Sequence, residues 1–208
     1  MARPMMTELE TGEAVRAHYD APHEVALRKE MKRLDHHCRA FIAAAPFVVI
    51  ATADAHGRAD ASPRGDAAGF IAVHDDSTLL IPDRRGNNRV DTMMNIIENP
   101  HVGLLFMVPG VNETLRVNGQ ALIAIDQAIL APLAARGRTP QAAIVVTIEE
   151  VYFQCGKALV RSDLWNPERR IERRSLPTLG QILADEVNLP YDPGLDKAIE
   201  DDYRTGLY

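Results

Sequence analysis

Between Phe47 and Tyr152 the sequence is a succession of short apolar runs. Several of the turns between them are only four residues long: Asp54-Ala-His-Gly57, His74-Asp-Asp-Ser77 and Pro109-Gly-Val-Asn112. A parallel pair of strands needs a crossover of about a dozen residues or more, whereas a tight turn reverses the chain into an antiparallel neighbour. The runs Phe47–Ala53, Arg58–Ser62, Gly69–Val73, Thr78–Pro82, His101–Val108, Glu113–Ile125 and Ala143–Tyr152 therefore predict a mainly β fold. The expected architecture is an antiparallel barrel with helices packed at its ends and side.

Helical periodicity appears in fewer places. Leu27, Met31, Leu34, Cys38, Phe41 and Ile42 recur at steps of three and four, which predicts one amphipathic helix running from Pro22 to just before Pro46. A second helix is expected to carry Val90, Met93, Met94 and Ile97 and to stop at Asn99-Pro100, because a residue before proline avoids the helical region. A third is expected near Gln127–Ala135, and short helices follow Gln154. Residues 1–21 read as an arm, 22–185 as one domain and 186–208 as an acidic tail.

Composition narrows the function classes. The chain has 208 residues and a formal net charge of −6, which gives no bulk attraction to nucleic acid or an anionic membrane. The longest apolar stretch, Phe41 to Ala53, is broken by Pro46 and is shorter than the roughly 20 residues of a spanning helix. The N-terminus lacks the pattern of a secretion signal, and Cys38 and Cys155 are the only cysteines, so a reducing cytoplasm is the expected setting. Cys155 is expected as a half-buried packing residue. No Walker loop, G-x-S-x-G elbow or G-x-G-x-x-G follows a strand. His36-His37-Cys38 invites a metal reading, but adjacent helical side chains point about a hundred degrees apart, and no metal site is expected.

Two clusters carry chemistry. Ser62-Pro63-Arg64-Gly65-Asp66 ends a strand, and Arg84-Arg85-Gly86-Asn87-Asn88-Arg89 opens a helix. A phosphate monoester wants guanidinium forks, amide or hydroxyl donors, and free N–H groups at a helix N-terminus, and the second cluster offers all of these within six residues. Arg116 stands on a separate alternating strand. A plainer reading pairs these arginines with Asp66, Asp83 and Asp91 as solvated turn residues.

With these residues in view, the chain resembles the pyridoxamine 5′-phosphate oxidase-like flavoproteins. The likeness runs through APFVVIATADAHGRADASPRGD, TLLIPDRRGNNRVDTMMNIIENPHVGLLFMVPG, ETLRVNGQA and Cys155-Gly-Lys-Ala-Leu-Val-Arg-Ser-Asp-Leu-Trp165, and covers residues 22–185. It implies an FMN-binding split β-barrel of antiparallel, Greek-key type with flanking helices. It also implies a homodimer with FMN at the subunit interface, acting on a small-molecule substrate as an FMN-dependent oxidoreductase. Carried over by motif, Ser62, Pro63 and Arg64 would run along the ring and ribityl chain, with Ile81 and Pro82 lining the flavin. Asn87, Asn88 and Arg89 would hold the phosphate, and Thr114 and Arg116 would reach the cofactor from their strand. Trp165 would approach from the partner chain, with Lys157 and Arg161 nearby, and Arg64 would stabilise the anionic reduced ring. The family's substrate-holding Arg-x-His motif is absent, since no histidine follows His101, so the likeness does not extend to pyridoxamine phosphate as substrate. The same resemblance leaves two further readings, a flavin sensor or reservoir without turnover and a split barrel holding a deazaflavin or haem.

Overall fold

The apolar runs pair into one antiparallel sheet of seven strands: β1 (Phe47–Ala53), β2 (Ala59–Gly65), β3 (Ala72–Val73), β4 (Thr78–Pro82), β5 (His101–Met107), β6 (Thr114–Ala124) and β7 (Ala143–Gln154). The structure, a computed structural model, describes residues 7–208. The sheet order is β2-β1-β5-β6-β7-β4-β3. Sequence neighbours pair as hairpins, while β5 returns beside β1 and β4 is carried across to β7. This is a mainly β, split-barrel fold with flanking helices, in which β2 and β3 remain open edges.

Period-two alternation builds the core. Val48 and Ile50 of β1, Leu104 and Phe106 of β5, Leu115 and Val117 of β6, Ile144 and Val146 of β7 and Leu79 and Ile81 of β4 all pack into one cluster. A smaller cluster on the opposite side joins Leu80 and Ala143 to Leu130 and Leu133. Those leucines come from a short helix and a 3-10 turn within the segment expected to be one longer helix.

Residues 7–30 and 31–208 form separate units. In the first, α1 (Gly12–His18) is capped by Thr11, whose Oγ1 accepts the Ala14 N–H at 3.1 Å, and α2 covers Glu24–Arg28. The single helix expected from Pro22 to Pro46 is therefore not formed. Met31 leaves the helical path and bonds Val151 through both backbone groups at 3.0 and 2.7 Å, and Asp35 caps a new helix, α3 (His36–Ala44). Leu27, placed on the expected stripe, is 59% exposed, whereas Cys38 and Ile42 are buried. A strong N-cap interrupts a periodic run because it satisfies an orphan N–H locally, here that of Cys38 at 2.8 Å.

Helix α4 (Asp91–Glu98) buries Thr92 and Ile96, not the stripe expected from periodicity. Val90, Met94 and Ile97 of that stripe are exposed, and Asn95 donates to the Thr52 hydroxyl at 3.0 Å from the inner face. α5 is the short helix Gln127–Leu130, and α6 spans Lys157–Ser162. Beyond it, α7 (Leu179–Glu186) opens with a complete Thr178/Gln181 capping box. The segment expected as an acidic tail contains a further helix, α8 (Pro193–Thr205), started by Asp192 and proline at its first position. Among the described residues, no helix is long and apolar enough to cross a membrane.

The two cysteines differ sharply. Burial, and then the neighbouring Asp35 carboxylate, push the Cys38 thiol up to about 12, while Cys155 is exposed, not half-buried as expected. A chromogenic disulfide reagent at pH 8 should titrate Cys155 rapidly in the native protein and Cys38 only after denaturation. Equal reactivity of both thiols would contradict this packing.

Candidate functional site

The two halves of the sheet approach each other where the barrel stays open. Asp66, one residue past β2, pairs with Arg84, two residues past β4, with Nε and Oδ2 2.6 Å apart. Both side chains are largely withdrawn from solvent, and Arg84 Nη1 also donates to the Leu133 carbonyl at 2.8 Å. Above this pair lies a cleft of about 390 Å³, lined by β2, Phe70 and the segment from Pro82 to Met93. That volume is within the range of small-molecule sites, roughly 300–1,000 Å³.

Strand alternation aims one wall. Asp60, Ser62 and Arg64 share a face of β2, opposite Thr52, Ile50 and Val48 in the ladder, and are half-buried while their neighbours are exposed. Arg64 donates to the Ser62 hydroxyl and to the Pro63 carbonyl at 2.9 Å. Among the described residues no carboxylate lies within 4.0 Å of its guanidinium. Burial lowers the Arg64 pKa, with Asp83 and Asp60 acting against that shift. Across the cleft, burial raises the Asp83 carboxyl above its usual range, and Arg64 pulls it back in part. A partly desolvated cation without a direct counter-ion favours an incoming anion.

The loop between β4 and α4 forms the other wall. Asn88 and Val90 both occupy the left-handed region, at φ 59° and 54°. For a β-branched residue this conformation costs about 1–3 kcal/mol and is characteristic of ligand clamps. Val90 is the N-cap of α4 and offers no side-chain acceptor. The Met93 and Met94 N–H groups reach the Val90 carbonyl at 2.9 and 3.0 Å, but those of Asp91 and Thr92 make no hydrogen bond among the described residues. The helix thus presents free N–H donors at its positive end. Asn87 Oδ1 accepts the Arg89 N–H at 3.1 Å, and Arg89 Nε pairs with Asp91 at 2.8 Å on an exposed turn.

The sequence-predicted residues fall into two groups. Ser62, Pro63, Arg64, Pro82, Asn87, Asn88 and Arg89 line the cleft together. Ile81 does not: it is fully buried in the core beneath Pro82. Thr114, Arg116, Lys157, Arg161 and Trp165 also lie off the cleft lining, gathered where β6 begins and β7 ends. There Thr114 is buried, and Arg116 donates to the Tyr152 hydroxyl at 2.9 Å. Lys157 and Arg161 stand exposed on α6, and Trp165 Nε1 donates to the Val111 carbonyl at 2.9 Å. The plainer reading of the arginines also finds partners here, since Arg84 pairs with Asp66 and Arg89 with Asp91, although the first pair is buried and not solvated.

Sequence reasoning missed Asp60 and Asp83 as cleft residues. Asp60 was reachable from Ser62 by the two-residue period of a strand, whereas Asp83 needed the fold. It also misjudged the geometry at the start of α3. The rings of His36 and His37 lie 3.8 Å apart and, with Asp35, offer ligand atoms within 4.8 Å of one another. Both imidazoles face solvent and the Asp35 carboxylate already caps the helix, so the cluster is a surface feature of the helix start.

The family model for pyridoxamine 5′-phosphate oxidase matches residues 34–155, which include every strand of the sheet. The chain belongs to this family. No curated protein matches it. Among solved structures, HupZ of Group A Streptococcus is similar at 19% identity and a TM-score of 0.50, covering 59% of this chain and 94% of that one. A pyridoxamine 5′-phosphate oxidase-type protein of Lactobacillus delbrueckii is 24% identical with a TM-score of 0.47, over 59% and 95% of the two chains. An FMN-binding protein of Syntrophomonas wolfei is 12% identical with a TM-score of 0.44, over 55% and 82%. The HupZ likeness reaches the fold of this oxidase-family chain and no further.

The cleft's donor set fits a flavin phosphate. Carboxamides at Asn87 and Asn88 and the α4 N–H groups with no acceptor of their own suit the phosphate, and the half-buried Arg64 guanidinium, which lacks an ion pair, stands on the facing wall.

Proposed function

We propose that the protein is an FMN-dependent oxidoreductase acting on a small organic substrate. The observation that carries this reading is the convergence of Arg64 and the uncapped N-terminus of α4 on one cleft, in a member of the pyridoxamine 5′-phosphate oxidase family. Asn87, Asn88, Arg89 and the α4 N–H groups would hold the phosphate, and Ser62, Pro63, Arg64 and Pro82 would flank the rest of the cofactor. The flavin itself supplies the redox chemistry, and the protein supplies position and charge. Arg64, partly desolvated, offers a positive potential that grows in value where negative charge develops. Asp83, with its carboxyl pushed up by burial, is the cleft group best suited to hold or release a proton.

A homodimer completes this reading. A second copy would bring Trp165, Arg116, Lys157 and Arg161 to a cleft that they do not line in their own chain. The exposed Met94, Ile97, Leu122 and Ile125 supply apolar surface for such an association. The absence of histidine, cysteine or tyrosine from the cleft lining favours one competing reading, a flavin reservoir without turnover. The same absence weighs against haem, whose iron would look for such ligands, with Met93 the remaining sulfur.

Mass spectrometry of the ligand extracted from native protein should return FMN. A deazaflavin or haem in that extract would overturn the assignment. Stopped-flow reduction across a panel of nicotinamide and organic donors should then find rapid turnover with at least one, and failure with all would favour the reservoir.

A further inference from the structure

Tyr208 lies against the back of the cofactor loop, where nothing in the flavin reading requires it. The Tyr208 hydroxyl donates to Asp66 Oδ1, the carboxylate whose other oxygen holds Arg84. Its ring lies under two cations, 4.8 Å from Arg136 and 6.0 Å from Arg84. Its backbone carbonyl accepts from Arg138. One turn back along α8, Asp202 lies 3.8 Å from Arg85, and its carbonyl accepts the Gly206 N–H at 2.7 Å. A second cavity of about 240 Å³ fills the space between, walled by Asp83–Gly86 and Asn88 on one side and by Arg138–Gln141 and Tyr208 on the other.

The loop from Asp83 to Asn88 is thus a thin partition with a cavity on each side. Gly86 frees its backbone, and it has few backbone bonds of its own. Arg84, gripped by Asp66 and the Leu133 carbonyl, anchors it, beside the Asp83 N–H bond to the Ala142 carbonyl at 2.9 Å and the Arg85–Asp202 contact. Asp66 in turn divides its oxygens between Arg84 and Tyr208. Burial pushes the Asp66 carboxyl up, but the Tyr208 hydroxyl, the Ala67 N–H and Arg84 together hold it below the usual range, so it stays an acceptor for both.

We infer that Tyr208 is a positioning residue for the cofactor loop: through Asp66 and Arg84 it holds Arg85–Val90 in the conformation that receives the phosphate. This rests on the flavin reading for its consequence, although the mechanical link is independent of any ligand. The strap acts on the phosphate end alone, so it should govern discrimination between FMN and riboflavin and leave the affinity for the ring unchanged.

The test is Tyr208→Phe, which keeps the ring over Arg136 and removes only the hydroxyl. Hydrogen exchange on the ligand-free protein should show the bonded amides of this segment, Arg89 on Asn87 and Met93 and Met94 on the Val90 carbonyl, exchanging about tenfold faster than in the parent, with the β1 and β5 amides unchanged. FMN affinity should fall about five- to tenfold, the weight of one charge-assisted bond passed on in part, while riboflavin affinity stays within twofold. Arg138→Gln, which frees the Tyr208 carbonyl and spares Asp66, should act in the same direction and serves if the first variant does not fold. Unchanged exchange in the loop, or equal losses for both flavins, would overturn the strap. If neither flavin binds the parent, the functional reading falls, and the exchange result still decides the strap.

Discussion

Arg89→Ala is expected to weaken FMN binding by roughly ten- to a hundredfold, the effect of removing a charge-assisted fork to a dianion. Riboflavin, which lacks the phosphate, should bind the variant and the parent equally. In the structure Arg89 spends Nε on Asp91, with both side chains exposed. An exposed ion pair of this kind contributes little to stability, so the variant should fold as the parent does. The pairing leaves the terminal nitrogens of the guanidinium available beside the free N–H groups of α4. If FMN affinity is unaltered, Arg89 is only a surface partner of Asp91. If both flavins lose equally, the damage lies in the fold.

Gly119→Ala should produce the largest loss of stability of any change considered. At Asn118/Gly119 the β6–β7 register shifts, a bulge in the centre of the sheet. A Cβ on Gly119 would overlap the Thr147 carbonyl oxygen and lie 3.0 Å from its carbon and 3.2 Å from Ile148 Cα. These obstacles are backbone in a central strand, so no side-chain rotation relieves them. The cost is about 3 kcal/mol or more, which for a chain of this size lowers Tm by roughly 6–12 °C. A thermal melt checks it, and a shift under about 2 °C would mean that the bulge relaxes.

The parts of the fold that are local in sequence were legible. Four-residue turns set the antiparallel pairing, because a tight turn acts over a few residues, but the inward face of each strand was not readable, since Phe47–Ala53, Thr78–Pro82 and His101–Met107 are largely apolar on both faces. The helices were legible only in part. The stripe from Leu27 to Ile42 satisfies helical periodicity, yet the Asp35 cap and the Met31–Val151 bridge divide it. Such competition depends on a partner strand over a hundred residues away. The face of α4 was misplaced for a related reason: Thr92 and Asn95 turn inward toward Thr52 and β1, while Met94 and Ile97 face out. Composition cannot reveal that choice.

The candidate site divides along the same line. The cluster Arg84–Arg89 was readable as a candidate anion site because its donors are contiguous. Its junction with Ser62–Asp66 depends on the Asp66–Arg84 pair, which joins strands at nearly opposite ends of the sheet order. The roles of Asp83 and Tyr208 follow from that junction and leave no trace in local pattern.

The central claim is that the cleft between β2 and α4 receives the phosphate of FMN. The direct measurement is an equilibrium titration of the refolded, ligand-free parent with FMN and with riboflavin, followed by absorbance and by retention of colour through gel filtration. The account predicts a yellow protein that binds FMN at least about tenfold more tightly than riboflavin, the margin of one charge-assisted contact or more. A colourless protein after FMN is supplied, or equal affinity for the two flavins, would contradict it.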